Sequence, residues 1–304
     1  MVTVFGASGF LGSEICNSFV AKGLRVNSIM RESSNPWRLG SSDLLKKTYL
    51  DPKDWGPHLI KTNPKVVIAA NWDGVDKSKR QDKETQQKSF KSILELADIS
   101  KVIGADSFVA FGSQGEVPDS HEPIGEKLFE PQGDEYGQIK TKLAKTLQEV
   151  FLDSKTRLIW VRPFSIYGPK DSKENLIPQM FHAAQENLPF EVRDSGLVWS
   201  ALHISDFGNA MKQIIDDEEI SGVINIGNPD AISIYEYAKA VQDSISRIFP
   251  EWKGLNLSPK PHKIGKIPKI DKLLNLKWTP KFDVQSGIED TVNWLSTNSP
   301  RKLS

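Results

Sequence analysis

Apolar residues fall in short clusters along the first half of the chain, each bounded by polar or turn residues. Val2–Phe5 is a β-branched run that reads as a strand, and a glycine turn follows it. Residues 14–22 read as a helix stopped by Gly23, and residues 24–30 as a second strand. The polar stretch 31–42 carries Pro36 and predicts a loop, and residues 47–50 predict a third strand ending at Asp51. Residues 65–70 (KVVIAA) and Ser107–Phe111 are continuous apolar runs, the pattern of strands buried on both faces. Between them, residues 78–104 predict a long polar helix. From 136 to 152 the apolar positions Ile139, Leu143, Leu147 and Val150 recur at helical spacing, and residues 158–161 read as the next strand.

Strands alternating with helices at this spacing predict an α/β fold with a parallel, doubly wound sheet over residues 1–167. The pattern loosens after Tyr167. Gly222–Ile226 predicts a late strand, within a stretch 201–228 that returns to the main sheet. Residues 168–200 and 229–304 predict a smaller C-terminal α+β lobe, with a Lys- and Pro-rich part at 250–282.

Composition narrows the class. The chain has 304 residues, 38% of them hydrophobic, enough for a sizeable core. Lys plus Arg and Asp plus Glu both number 39, a balance that gives no support to nucleic acid or an anionic membrane as the main partner. The single cysteine, Cys16, falls in the first helix and suits packing in a reducing compartment. No leader pattern, no membrane-length apolar run and no metal-ligand spacing is visible, so a soluble cytoplasmic protein without a metal is expected.

The chemistry begins at Gly6-Ala-Ser-Gly9-Phe-Leu-Gly12, a G-x-x-G-x-x-G turn between a strand and a helix. Glycine allows a sharp turn and close backbone approach, and the following helix N-terminus favours a pyrophosphate. This predicts a Rossmann-type dinucleotide site. Asp51, after the third strand, either accepts a bond from the adenine amino group or caps the turn before Pro52. Arg31 ends the second strand where a ribose 2′-phosphate would be met, which favours NADP(H) over NAD(H).

Tyr136-Gly-Gln-Ile-Lys140 is Y-x-x-x-K at a helix start, so both side chains share one face. A neighbouring ammonium favours the phenolate, and such a Tyr can exchange a proton with a carbonyl or alcohol oxygen. Ser113, just past the strand Ser107–Phe111, is the third member, placed to donate to the same oxygen.

Together these motifs resemble the extended short-chain dehydrogenase/reductase family, in its nucleotide-sugar epimerase/dehydratase/reductase branch. GASGFLG, VVIAAN, FGSQGEV, YGQIK, VRPFSIYGP, LHISDFGNAM, GVINIGN and LNLKWTPKF carry the resemblance over nearly the whole chain. It implies that Ser113, Tyr136 and Lys140 are catalytic. It also implies that Gly6, Ser8, Gly9, Phe10, Leu11, Gly12, Arg31, Asp51, Ala69, Ala70 and Pro163 line the cofactor site together with Tyr136 and Lys140. Asn175 matches a position that contacts the hexose or diphosphate, or caps the helix before Leu176. Many members carry an Arg ahead of the segment matched by LHISDFGNAM. Here Val198-Trp199-Ser200 occupies that stretch, with Arg193, Lys260, Lys263 or Lys266 as substitutes and Trp199 stacking a base or filling the core. His203 and Asp206 are expected to shape the lobe junction.

Gln114-Gly115-Glu116 stands where dehydratases of the branch place an Asp–Glu pair, which leaves Glu116 as the one candidate acid/base there. The expected activity is hydride transfer on the sugar of a nucleotide sugar, by a reductase or epimerase. The helices at 78–104 and 136–152 are expected to form a homodimer interface. A sensor of NADP(H) without turnover would use the same glycine loop, but it needs no Ser–Tyr–Lys set. A reductase of a non-nucleotide carbonyl compound is the other alternative.

Overall fold

The computed structural model describes residues 1–76, 78–192, 196–257 and 264–299. Its centre is a seven-stranded parallel sheet. β1 (Val2–Phe5), β2 (Val26–Met30), β3 (Leu45–Tyr49), β4 (Val66–Ala69), β5 (Ser107–Phe111) and β6 (Arg157–Pro163) are joined by a last strand, Gly222–Ile226. The order across the sheet is Gly222–Ile226, β6, β5, β4, β1, β2, β3, so the strand order reverses between β1 and β4. Such a reversal opens a crevice at the carboxyl ends of the strands.

Both faces of the sheet are apolar because both are covered. Val4, Val109, Ile159 and Ile224 pack with Ile15, Cys16 and Phe19 of α1 (Phe10–Ala21) and Phe207 and Met211 of α6 (Ile204–Asp216). Phe5, Val67, Phe108 and Trp160 pack on the other side, against α2 (Trp55–Thr62), α3 (Lys83–Val102) and α4 (Glu135–Phe151). Successive residues of one strand thus serve opposite cores, as the pleat requires. The lobe has a core of its own. α5 (Leu176–Gln185), α7 (Ile234–Ser246) and α9 (Val284–Asn298), the last preceded by the short α8 (Asp271–Asn275), enclose Met180, Phe181, Val241, Ile288 and Val292.

Differences from the expected elements have local causes. α1 begins at Phe10 rather than at residue 14, because the glycine turn runs straight into the helix. The long helix begins at Lys83, where the Asp82 carboxylate accepts from the Glu84 N–H and caps it. α2 escapes the periodicity because it is short and carries Gly56 and Pro57 in its first turn. β3 is an edge strand with only Leu45 buried, so it shows little apolar pattern. Asp206 accepts from the Lys281 and Phe282 N–H groups, and His203 lies 3.2 Å from Asp290 of α9, so both tie α6 to the lobe. Among the described residues, no helix is long and apolar enough to cross a membrane.

Candidate functional site

The loops leaving β1, β4, β5 and β6 meet in the crevice. Gly6 has φ 72°, in the left-handed region, and a Cβ there would lie 2.3 Å from the Ala70 carbonyl oxygen. A Cβ on Gly12 would lie 2.3 Å from the Gly6 carbonyl oxygen. These two glycines let the turn close between β4 and α1. Gly9 is different, since its Cβ would meet only the Gly6 carbonyl, at 3.3 Å, and it walls the two cavities on either side. It caps α1 with no side-chain acceptor, so the first-turn N–H groups remain for an anion.

The first cavity, of about 430 Å³, runs from Gly6, Ser8 and Gly9 past Met30 and Arg31 to Pro52, Trp55 and residues 70–73. The second, of about 440 Å³, is walled by Gly9, Phe10, Leu11, Gly12, Ala69, Ala70, Ser113, Tyr136, Lys140 and Pro163, and by Asp171 and Asn175 from the lobe side. A third, of about 210 Å³, adjoins it and shares Asp171 and Asn175. Gln114, Tyr167, Trp199 and Tyr237 complete its wall.

Ser113, Tyr136 and Lys140 thus open into one space beside the glycine turn. α4 places two of them. Asp134 caps the helix by accepting from the Gly137 N–H at 2.8 Å, which sets Tyr136 in the first turn and Lys140 one turn later. The Lys140 ammonium donates to the Phe111 carbonyl at 2.6 Å and lies 3.5 Å from the centre of the Trp72 ring. Trp72 meets Tyr136 edge-on at 6.2 Å. The Arg80 guanidinium covers the Tyr136 ring at 4.5 Å and donates from Nε to Asp134 at 3.0 Å.

The model of the NAD dependent epimerase/dehydratase family matches residues 2–227, from the first strand of the sheet through the last. The chain belongs to that family. Among curated proteins it is 26% identical to GDP-L-fucose synthase 1 of Arabidopsis thaliana, over 56% of this chain and 55% of that one. It is 28% identical to dTDP-D-glucose 4,6-dehydratase of Mus musculus, over 51% and 47%. The chain therefore spans about half the length of these two relatives. Its fold is that of an epimerase from Methanothermobacter thermautotrophicus, with TM-score 0.83, 20% identity and coverage of 98% and 92%. It is also that of a Thermus thermophilus UDP-glucose 4-epimerase in complex with NAD, with TM-score 0.81, 18% identity and coverage of 98% and 99%.

The residues present fit the family's dinucleotide. A Cβ at Gly6 or Gly12 would strike backbone, so only glycine lets the turn close this tightly, and the uncapped start of α1 beside it suits a pyrophosphate. Arg31 walls the first cavity, but its guanidinium is bound bidentately by Asp73. Asp51 stands outside that cavity. Pro52 begins a short turn after it, its carboxylate is exposed beside Lys53, and Pro52 and Trp55 form the wall instead.

Glu116 departs most from expectation. It is 1% exposed, and its carboxylate accepts from the Ser113 N–H at 2.5 Å, from Trp160 Nε1 at 3.1 Å and from Arg162 Nη2 at 3.2 Å. With its oxygens engaged by these donors, it lines none of the three cavities, where the sequence suggests a substrate contact or acid/base. Asn175 and Trp199 do meet at the third cavity. Arg193 lies outside the described residues, as do Lys260 and Lys263. Lys266 donates to the Gln114 carbonyl at 3.0 Å.

The electrostatics also differ from the simple Tyr–Lys picture. Burial pushes the Tyr136 phenol up to about 12, although a bond with Ser113 and the Arg80 charge both pull it down. The Lys140 ammonium, held by the Phe111 carbonyl and the Trp72 ring, lies 5.6 Å from the centre of the Tyr136 ring. Burial holds Lys140 itself well below the ordinary lysine range, partly offset by the Glu116 charge. Unfolding then takes up a proton between that lowered value and the ordinary lysine pKa of about 10.4, so stability rises with pH across this window. Lys140→Met is expected to flatten the rise in urea midpoint between pH 7 and 9.5, measured without nucleotide. An unchanged slope would assign the effect elsewhere.

Trp72, Arg80, Asp73 and Asp171 were not singled out from the sequence. Trp72 and Asp73 carry one usable signal, since they closely follow the buried run 65–70 at the carboxyl end of a strand, where α/β sheets place ligands. Arg80 and Asp171 carry none.

Proposed function

We propose that this enzyme is a reductase or epimerase acting on the sugar of a nucleotide sugar, with Tyr136 as its acid/base. The observation that carries the reading is the shared cavity of the glycine turn and Ser113, Tyr136 and Lys140. When bound, the nicotinamide supplies or accepts a hydride at a sugar carbon. Tyr136 gives its proton to the oxygen of that carbon as charge develops there, and Ser113 holds the same oxygen by a second bond. A phenol pushed up to about 12 holds its proton at neutral pH, ready for transfer to the oxygen of that carbon. Loss of water is disfavoured, because Gln114 and Gly115 offer no acid/base and the Glu116 carboxylate is engaged below.

The third cavity supports a nucleotide-linked substrate. Tyr167, Trp199 and Tyr237 offer aromatic faces for a base, and Asn175 stands at its junction with the reacting space. Arg31 is the feature that supports NADP(H), and its pairing with Asp73 weakens that preference. We place the enzyme in the cytoplasm, on its single buried Cys16. A homodimer through α3 and α4 would join faces bearing exposed Lys91, Glu95, Lys142 and Glu149, and so depend on charge pairing.

The test is fluorescence titration with NADPH and NADH, followed by cofactor oxidation assays on 4-keto-6-deoxy nucleotide sugars. Binding with oxidation is expected and supports the reductase. Binding without oxidation, but with inversion at a sugar carbon, supports the epimerase. Binding of neither nucleotide would overturn the reading.

A further inference from the structure

Arg31 and Asp73 leave the carboxyl ends of β2 and β4, on either side of β1, and both wall the first cavity. Arg31 Nη1 donates to Asp73 Oδ2 at 2.9 Å, and Nη2 donates to Oδ1 at 3.0 Å. The fork is bidentate, so both terminal nitrogens are engaged on one carboxylate. The two side chains are 51% and 54% exposed, within reach of a ligand entering the cavity. The backbone of Asp73 is pinned, because its N–H donates to Ser89 Oγ at 3.1 Å and its carbonyl accepts from the same hydroxyl at 3.2 Å. The carboxylate is therefore held opposite Arg31 by α3. The other cation on this wall, Lys88, is paired with Glu84 at 2.8 Å.

The geometry points to Asp73 as the residue that sets cofactor choice, by competing with a ribose 2′-phosphate for Arg31. This rests on the reading of the glycine turn as a dinucleotide site. A 2′-phosphate needs the same guanidinium nitrogens that Asp73 occupies, and it meets the Asp73 negative charge as it approaches. A 2′-hydroxyl brings no charge and leaves the clasp closed. The enzyme accordingly takes both dinucleotides with little discrimination, and removing the Asp73 charge turns it toward the phosphorylated one. An exposed ion pair contributes little to folding, so the variants fold.

The experiment is a binding titration of the full chain with NADPH and NADH, for wild type, Asp73→Asn, Arg31→Gln and the double variant, at fixed low salt. Asp73→Asn is expected to tighten NADPH roughly tenfold, the scale of one charge-assisted contact, and to leave NADH within about twofold. Unchanged NADH affinity also reports that the variant is folded. In the Arg31→Gln background the gain is expected to shrink to a small remnant. A wild-type NADPH/NADH ratio retained in Asp73→Asn overturns the proposal. So does a full tenfold gain that persists without Arg31, since Asp73 would then act by its own charge alone. Binding of neither nucleotide by the wild type removes the dinucleotide reading itself, whereas a flat ratio removes only the role of Asp73.

Discussion

Tyr136→Phe is expected to lower turnover of a keto-sugar by about 10²- to 10⁴-fold, the usual loss when a positioned acid is removed. Nucleotide affinity should stay within about threefold. The separation follows from what the ring and the hydroxyl each do. The ring is covered by Arg80 at 4.5 Å and met by Trp72 at 6.2 Å, and phenylalanine keeps both contacts. Only the phenol is lost, and with it the proton given to the substrate oxygen. Single-turnover oxidation of bound reduced cofactor measures the step directly. Loss of less than tenfold would mean that another group supplies the proton.

The pH profile adds a second check on the same residue. Because the phenol is pushed up to about 12, its acid form persists through the neutral and mildly alkaline range. The rate of reduction should therefore show no falling limb from Tyr136 below about pH 10, roughly the ordinary phenol value. A falling limb at lower pH would instead report Lys140, whose ammonium burial holds below the ordinary lysine range. Lys140→Met would remove such a limb, and Tyr136→Phe would not move it.

The second large effect concerns Glu116. Its carboxylate and Arg162 are 1% and 0% exposed and lie 3.2 Å apart, and the same carboxylate holds the Ser113 N–H and the Trp160 indole. Glu116→Ala leaves a guanidinium buried without its counter-charge, which costs about 3–5 kcal/mol. It also frees the backbone of Ser113, so turnover falls beyond what lost stability explains. Urea unfolding measures the first effect. A cost below about 1 kcal/mol would show that the pair carries little of the fold. Replacing both partners with methionine should recover part of the stability, since no charge is then left stranded, but not the turnover, since Ser113 stays untethered.

The sheet and the first site residues were legible because their signals are local. A continuous apolar run such as Ser107–Phe111 marks a strand covered on both faces, and it appears in the structure with these bounds, as does the late strand Gly222–Ile226. Gly6, Gly9 and Gly12 lie within one turn, and Tyr136 and Lys140 within one turn of α4, so spacing alone puts each set together. Where burial rather than spacing decides, the sequence misleads. Glu116 follows Ser113 closely enough to pass for a second acid, yet the tight turn at Gln114–Glu116 swings it beneath the sheet ends toward Trp160 and Arg162.

By itself, then, the sequence determined the parallel α/β fold, the glycine turn and the Tyr136–Lys140 pair, because each signal lies within single elements and the turns beside them. The tertiary structure alone decided the surroundings of the site groups: the buried Tyr136 under Arg80, the engaged Glu116, and the clasped Arg31. Asp73 lies 42 residues from Arg31, and Arg162 lies 46 residues from Glu116. Only the pairing of strands in the sheet brings such partners within reach, and a side chain's charge and proton affinity depend on those partners and on how far they exclude water.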